Sequence, residues 1–265
     1  MTLDVAMLGD IDGLHEALLH RGILAGYRFY IPTTVINEVM ERLAGELRSF
    51  PNAVQALENA PASCVWLGTA ATSEDRFPTE GTNVRILSAP EPSNSAFNGT
   101  VLVVHDMLPA ASNSEDSAMF DQWNRACQAN ETPPLPKQRR YWCSIADVAT
   151  ALIRCLPHLK GTNTYHVAGR RGWTLADTFA EFSRLAQRTH AGASGAFRQE
   201  HLLADGGPVV HATSVTEEEG QEGIRPDLAP FHRFLEQTTG EGWRPSMPLR
   251  QTLMLVLAAM DEAHA

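Results

Sequence analysis

The chain is poor in lysine and in long apolar runs, and both shortages narrow the range of functions. Lysine occurs only at Lys137 and Lys160, and the formal net charge is −10. An acidic chain without a basic cluster lacks the charge that attracts nucleic acid or an anionic membrane surface. No apolar run reaches the roughly 18 residues that a membrane-spanning helix needs. We therefore expect neither a nucleic-acid partner nor a membrane partner.

The few cysteines also lack a pattern that binds metal. They stand at Cys64, Cys127, Cys143 and Cys155, and no two of them form a C-x-x-C pair. Free thiols in a reducing compartment are the expected state of such cysteines. The N-terminal sequence "MTLDVAMLGD" has no basic region of a secretory signal. These features predict a cytoplasmic protein without a metal centre.

Short apolar runs alternate with stretches of helical periodicity along the chain. Strands are predicted at "TLDVAML", "YRFYIP", "SCVWLG", "VRIL", "TVLVVHDM" and "TNTYHVAG", and helices at "GDIDGLHEALLHRG" (closed by Gly22), "VINEVMERLAGELRSF", "NAVQALENA", "SAMFDQWNRACQAN", "TLADTFAEFSRLAQ" and "MPLRQTLMLVLAAMDEA". Such alternation is typical of a mostly parallel sheet that is covered on both faces. The sequence therefore predicts an α/β fold, with residues 1–265 in a single domain.

The segment "RRYWCSIADVATALIRC" predicts a well-started helix. Ser144 can accept a hydrogen bond from a first-turn N–H, and Asp147 lies at the positive end of the helix. The apolar residues that follow fall on one face, and Pro157 ends the helix. Thr174 and Asp177 occupy the same capping-box positions at a later helix. Alone, these features indicate amphipathic helices packed on a core.

The order of elements in the second half resembles the extended short-chain dehydrogenases, the NAD-dependent epimerase/dehydratase family. An arginine before a strand (Arg140), the helix start Asp147-Val148, the strand "TYHVAG", then "IRPD" and "GEGWRPSMPLRQTL" follow the family order. The resemblance implies a Rossmann-like parallel sheet with a small C-terminal substrate lobe. Residues 1–110 would form a degenerate Rossmann-like half, and residues 118–262 the substrate-lobe half.

The first strand and helix depart from the family's G-x-x-G-x-x-G turn. In the family this turn lets the backbone approach a pyrophosphate, which lies on the helix N-terminus. When the leucines of the helix "LHEALL" are held in register, the three glycine positions fall on Val5, Leu8 and Ile11. Gly9 and Gly13 are then displaced, and they are only weak candidates for cofactor binding.

Two acidic residues stand in the same turn. Asp10 and Asp12 place negative charge where a pyrophosphate would lie, and like charges repel. We therefore expect no cofactor and no measurable NAD(P) binding at millimolar concentration, and we keep NAD(P) as the alternative.

The family's Tyr-x-x-x-Lys pair is absent. In the family the lysine lowers the pKa of the tyrosine, which then moves the proton of the substrate hydroxyl. The residues four positions after the tyrosines are Ile31, Thr34, Ile145 and Gly169. The catalytic residues therefore remain unknown.

Four residues are candidates for substrate binding. Ser88 could occupy the family's catalytic serine position, and His105 follows the strongest predicted strand, where ligands of α/β proteins bind. Arg140 and Arg225 match positions that face a diphosphate in the family, so we expect both to point into one cleft. The structural alternatives are a strand-end serine, a His105-Asp106 loop pair and surface salt bridges.

Three functional interpretations follow. The leading one is a divergent epimerase/dehydratase-like protein without the conventional redox machinery, which acts as a binding or regulatory protein or in non-redox chemistry. The alternative is an active NAD(P)-dependent nucleotide-sugar epimerase, dehydratase or reductase with relocated catalytic residues. In the third, the chain is an unrelated α/β protein, without a parallel sheet that has "TVLVVHDM" near its centre. A small-molecule or nucleotide-type ligand is expected, and a protein partner stays open.

The family's dimer interface is not expected to form. It is a four-helix bundle, and the corresponding regions, residues 72–83 and 88–99, lack helical periodicity. The helix at residues 35–50 is expected to cover the sheet instead. The polar stretch from His190 to Gly223 is a candidate lid.

Overall fold

The computed structural model describes residues 2–89, 97–110, 114–199 and 225–263. The strands are β1 (Asp4–Leu8), β2 (Arg28–Ile31), β3 (Val54–Ala56), β4 (Val65–Thr69), β5 (Thr82–Ser88), β6 (Thr100–Val104), β7 (Met107–Leu108), β8 (Arg139–Arg140), β9 (Cys143–Ser144), β10 (Thr164–Val167) and β11 (Trp173–Thr174). The helices are α1 (Gly13–Leu24), α2 (Ile36–Arg42), α3 (Ala44–Ser49), α4 (Glu115–Ala129), α5 (Ile145–Cys155), α6 (Leu175–Ala193), α7 (Ala229–Thr239) and α8 (Leu249–Ala263).

The chain divides into two compact units. The sheet unit consists of Met1–Met107, Cys143–Arg170 and Pro226–Met247, and the helical unit of Leu108–Trp142, Arg171–Arg225 and Pro248–Ala265. Two segments of the predicted substrate-lobe half therefore pack with the sheet. The prediction of a single domain stays a prediction.

Seven parallel strands form the sheet unit, in the order β10-β6-β5-β4-β1-β2-β3. The chain builds outward from β1 on one side and then returns to build outward from β4 on the other. The order therefore reverses between β1 and β4, which makes this pair the topological switch point. The predicted Rossmann-like parallel sheet is confirmed, although the strand of "TVLVVHDM", β6, lies next to the edge strand rather than near the centre.

Helices α1, α5 and α7 contribute to the largest core cluster, on one face of the sheet. Buried residues of this cluster include Leu18 and Leu19 of α1, Leu152 of α5 and Phe231 of α7. The clusters on the other face draw their described residues from strands and connecting segments, such as Phe77 and Phe97. Within the sheet unit, α-helices cover one face, and the described residues on the other face include the 3-10 turn residue Leu57 and connecting segments.

The segment at residues 52–60 and the end of α1 differ from the prediction. Residues 52–60 contain the short strand β3 and a 3-10 turn, because β3 pairs with β2 and sheet pairing overrides the local helical pattern. Helix α1 continues past Gly22, where a Cβ atom would lie 2.2 Å from Cζ of Phe29. Gly22 is therefore a close-packing residue and not the helix end.

The segment predicted as one helix over residues 35–50 forms two helices, α2 and α3, which meet at Leu43. Val39 and Leu43 are buried in the largest core cluster, so this segment covers the sheet as expected. Residues 70–83 contain only the 3-10 turn Glu74–Arg76 and the start of β5, and residues 90–96 lie outside the described residues. The oligomeric state stays a prediction.

The helical unit packs α4, α6 and α8 around an aromatic cluster that includes Phe120, Trp123 and Phe182. Thr174 caps α6 as predicted, because its hydroxyl accepts from the N–H of Asp177 at 3.0 Å. The short antiparallel pair β8–β11 places Trp173 opposite Arg140. Most of the predicted lid lies outside the described residues.

Candidate functional site

The carboxyl edge of the sheet is the part of the fold where a ligand is expected. In open α/β sheets, ligands bind beyond the carboxyl ends of the strands, at the point where the strand order reverses. Polar side chains of this edge include those of the switch point, formed by the residues after β1 and β4. They also include those of the histidine edge, formed by the residues after β6 together with His166 of β10.

The turn after β1 spans residues 9–12. Gly9 has φ +103°, a conformation that favours glycine, and Gly13 is the first residue of α1. Val5 and Leu8 lie within β1, and the register that put the family's glycine positions on them stays a prediction. Gly9 therefore stands in the turn and Gly13 at the start of α1, and both stay weak candidates for cofactor binding.

Asp12 occupies the N-terminus of α1. Its Oδ1 accepts from the backbone N–H of His15 at 3.0 Å and lies 2.8 Å from Nδ1 of the same residue. Burial alone would raise the pKa of Asp12, but the hydrogen bonds and charge of His15 lower it below its ordinary value. The carboxylate is 51% exposed, while His15 is 1% exposed. A fixed anion thus takes the position that helix N-termini offer to a ligand anion.

Thr72 connects the two strand ends at the switch point. Its hydroxyl donates to the carbonyl of Leu8 at 2.9 Å and accepts from the N–H of Thr69 at 3.0 Å. A Cβ atom on Gly68 would lie 2.9 Å from Oγ1 of Thr72 and 2.5 Å from Cζ of Phe77. The ends of β1 and β4 are therefore bridged and packed by side chains of the chain itself.

The residues of the switch point do not fit a dinucleotide in the pose of the resembled family. The pyrophosphate would need the helix N-terminus, where the carboxylate of Asp12 stands. Beside it, the hydroxyl of Thr72 already bonds to the ends of β1 and β4. Repulsion between two anions a few ångströms apart disfavours the bound state.

Two histidines meet at the histidine edge. Nε2 of His105 lies 2.9 Å from Nδ1 of His166, and the ring centroids are 5.2 Å apart. His105 comes directly after β6, and His166 lies within the adjacent parallel strand β10. Both side chains are partly exposed, so a ligand at the carboxyl edge could reach them.

The backbone around His105 is held from two sides. Its N–H donates to the carbonyl of Val167 at 2.8 Å, and its carbonyl accepts from Sγ of Cys143 at 3.3 Å. The N–H of Cys143 donates to the carbonyl of Asp106 at 3.0 Å. Asp106 has φ +47°, a conformation that aspartate tolerates better than most residues. These bonds fix the backbone of His105, and the contact with His166 orients its imidazole.

Burial lowers the pKa of His105, His166 lowers it further, and Asp106 opposes both effects. His105 is therefore neutral at pH 7. Burial also strongly raises the pKa of the Cys143 thiol, with a smaller contribution from Asp106, so this cysteine is a neutral structural neighbour. The described residues contain no group of three or more side chains that could hold a metal ion.

The structure places two of the four predicted ligand residues near each other. Ser88 ends β5 in register with Val104 of β6, the residue before His105. Arg140 and Arg225 belong to the helical unit, where Nη2 of Arg140 lies 2.9 Å from Oδ1 of Asp116 and Arg225 is exposed. The common cleft for the two arginines stays a prediction.

Sequence reasoning missed His166, His15 and Thr72. His166 sits in the predicted strand "TNTYHVAG" with no local feature that marks it. Only the parallel register, which pairs His166 with Val103, brings it to His105. Asp12 at the start of a leucine-rich helix was a usable signal for a cap, and its charge was recognised.

Known proteins resemble the chain in fold. No family model and no curated protein matches it, but solved structures match over nearly the whole chain. WbmF from Bordetella bronchiseptica, in complex with NADH, aligns with a TM-score of 0.57 and 11% identity, over 99% of this chain and 94% of that chain.

Two further solved structures also match in fold over nearly the whole chain. The dTDP-glucose 4,6-dehydratase from Bacillus anthracis, in complex with NAD, aligns with a TM-score of 0.56 and 11% identity, over 98% of this chain and 97% of that chain. The UDP-N-acetylglucosamine 4-epimerase from Bacillus cereus aligns with a TM-score of 0.53 and 11% identity, over 98% of this chain and 99% of that chain. The predicted resemblance is confirmed at the level of the fold: the chain has the Rossmann-like fold of these epimerases and dehydratases.

No described helix has the length and apolar character needed to span a membrane.

Proposed function

We propose that the chain uses the epimerase/dehydratase fold without conventional hydride transfer, as a ligand-binding or regulatory protein or as a catalyst of non-redox chemistry. The observation that carries this proposal is the carboxylate of Asp12 at the N-terminus of α1, held by two hydrogen bonds from His15. In this position a charged group of the chain replaces the anion of a cofactor. The absence of a Tyr-x-x-x-Lys pair in the sequence supports the same proposal.

The proposed ligand is a small molecule of the nucleotide type. One solved structure of similar fold, WbmF, is a complex with NAD+ and UDP, which supports the fold as a frame for such ligands. In the sheet unit, the proposed contacts are Ser88 and His105 at the carboxyl edge. In the helical unit, Arg140 and Arg225 are proposed phosphate-binding residues on the resemblance alone. An arginine fork can hold a phosphate by two hydrogen bonds. A protein partner and a cytoplasmic location remain predictions.

Calorimetry with NAD+ and NADH tests the proposal. We expect no binding heat at millimolar concentration for the wild-type chain. Asp12→Asn keeps an N-cap oxygen but removes the charge, so it should bind the cofactor more tightly than the wild type. Asp10→Asn is the matched comparison and should improve binding less, because Asp10 is exposed in the same turn and makes none of the cap contacts of Asp12. A micromolar dissociation constant for the wild type would overturn the proposal.

UDP tests the ligand class. Calorimetry should give binding heat with the wild type, and Arg140→Gln should weaken it, because a charge-assisted contact to phosphate is lost. Arg21→Gln, on the exposed surface of α1, is the control and should leave the affinity unchanged. Equal affinity of all three proteins would remove Arg140 from the proposed contacts.

The second candidate function is an active NAD(P)-dependent epimerase, dehydratase or reductase. The solved structures of similar fold favour it, because WbmF and the Bacillus anthracis dehydratase are complexes with NADH and NAD. If mass spectrometry detected NAD(P) that co-purified with the wild-type chain, this candidate would be favoured over the first. A bound ligand present at about 100 times its dissociation constant adds about 2.7 kcal/mol of stability, which a thermal shift would detect.

A further inference from the structure

We infer that His105 and His166 act as one acid–base unit at the histidine edge, which removes a proton from a ligand bound there. This inference rests on the proposed function, because it gives the carboxyl edge a non-redox reaction. The groups that carry it are separate from the switch point, so the two proposals can fail independently.

The geometry of the pair is that of a shared proton. The two nitrogens lie 2.9 Å apart, and the ring centroids lie 5.2 Å apart. This centroid distance is close to the largest that two imidazole rings can have at that nitrogen separation, so the rings face each other end to end. Two nitrogens that bind one metal ion at about 2.0–2.1 Å would have their lone pairs converge on the ion. The end-to-end arrangement instead fits a nearly linear N–H···N bond.

A shared proton determines what the pair presents to a ligand. A neutral imidazole has one N–H and one acceptor nitrogen. If His105 donates the bridging proton, its Nδ1 is an acceptor and Nε2 of His166 carries a proton. If His166 donates it, the two outward nitrogens exchange these properties. The neutral pair therefore always offers one base and one acid at its two outward nitrogens.

The surroundings of His105 hold its backbone and lower its pKa. His105 is held by its N–H to Val167 and its carbonyl to Cys143. Among the described residues, Asp106, which follows His105 in the chain, raises the pKa of His105, and Cys143 bonds to the His105 carbonyl. Cys143 stays protonated because it is buried. A neutral base at pH 7 is the form that general-base catalysis needs.

The proton transfer requires no oxidant or reductant. The outward acceptor nitrogen takes a proton from the ligand, and the electron pair of the broken bond stays on the ligand. The bridging proton then shifts along the N–H···N bond, and the second ring releases its outward proton to water or back to the ligand. The fitting ligand class carries a removable proton on a hydroxyl or on a carbon next to a carbonyl.

Nitrogen-15 NMR of the labelled full-length chain tests the shared proton. We expect both rings to show the same tautomer, or the same mixture of tautomers, and to titrate as a coupled pair. Replacement of His166 by alanine should raise the pKa of His105, because His166 lowers it. Different tautomers on the two rings, or independent titration, would overturn the inference.

The base-catalysed ring opening of 5-nitrobenzisoxazole tests the removal of a proton. A base takes the ring C–H proton, the N–O bond breaks, and the cyanophenolate product absorbs visible light. A positioned base contributes at least about 100-fold in favourable cases, and we expect the wild type to be at least about tenfold faster than His105→Gln. The rate should rise with pH as His105 becomes neutral.

Two variants separate catalysis from structure. His166→Ala should move the pH–rate profile to higher pH, which a purely structural role would not do, and His166→Asn keeps a polar group for folding. His158→Gln, on an exposed histidine, should match the wild type. A wild-type rate equal to that of His105→Gln would overturn the inference. Binding of NAD by the wild type would overturn only the proposed function.

Discussion

The switch point and the histidine edge belong to the same carboxyl edge of one sheet, but they satisfy their polar groups in different ways. At the switch point, Asp12 caps α1 and Thr72 bridges the ends of β1 and β4. At the histidine edge, backbone groups are paired, while His105 and His166 bond to each other and keep two outward nitrogens. Strand-end position alone therefore does not make a ligand site. What matters is whether the chain has already used the polar groups found there.

The largest expected effect is at the switch point. Thr72→Val preserves the shape of the buried side chain but leaves the N–H of Thr69 and the carbonyl of Leu8 without their partner. Loss of a buried hydrogen-bond partner costs about 1–3 kcal/mol, so we expect a loss of about 2 kcal/mol in a urea unfolding experiment. Thr72→Ser keeps the hydroxyl and should lose less. An unchanged stability of Thr72→Val would show that the bridge does not close the switch point.

The next effect concerns the cap of α1. Asp12→Ala removes the acceptor for the N–H of His15, and loss of an N-cap costs about 1 kcal/mol. Asp12→Asn should recover most of this loss. The pKa of Asp12 is lower in the folded chain than in the unfolded chain. Its ionised form therefore stabilises the fold above the unfolded pKa near 4, and this stabilisation is lost as pH falls through the folded pKa. If the free energies of unfolding of the wild type and Asp12→Ala still differed by the same amount in strong acid, this account would be contradicted.

A pH effect should distinguish the histidine edge from the switch point. The pKa of His105 is lowered in the folded chain, so the unfolded chain binds more protons at mildly acidic pH. The stability that the neutral form of His105 contributes is therefore fully present above its unfolded pKa near 6.5. It is lost as pH falls through the folded pKa of His105. Urea unfolding between about pH 7.5 and pH 5 measures this loss, which His105→Gln should reduce. If stability fell equally with pH in the wild type and in His105→Gln, the protons would be taken up by a group other than His105.

The smallest expected effect is on stability at Asp106. Asparagine tolerates a positive φ as aspartate does, so Asp106→Asn should change the free energy of unfolding by less than about 0.5 kcal/mol. The same change removes the charge that raises the pKa of His105. We therefore expect a lower pKa of His105 by NMR with nearly constant stability. A higher pKa would show that another charge controls this histidine.

Local patterns predicted much of the fold but only part of the site. Periodicity and capping residues identified β1, β6 and most helices, and Ser144 and Thr174 cap their helices as expected. The strand β3 was predicted as a helix, because its pairing with β2 is not visible in its own sequence. At the site, His105 and the charge of Asp12 were recognised, whereas Thr72 and His166 carry no local signal.

The sequence by itself determined the alternation of strands and helices, the acidic turn after β1 and the absence of a Tyr-x-x-x-Lys pair, because each is a property of neighbouring or regularly spaced residues. Only the tertiary structure decided which polar groups meet. His105 and His166 lie 61 residues apart in the chain, and Thr72 and Leu8 lie 64 apart. Hydrogen bonds of this kind depend on strand order and register, which place distant residues within about 3 Å of each other.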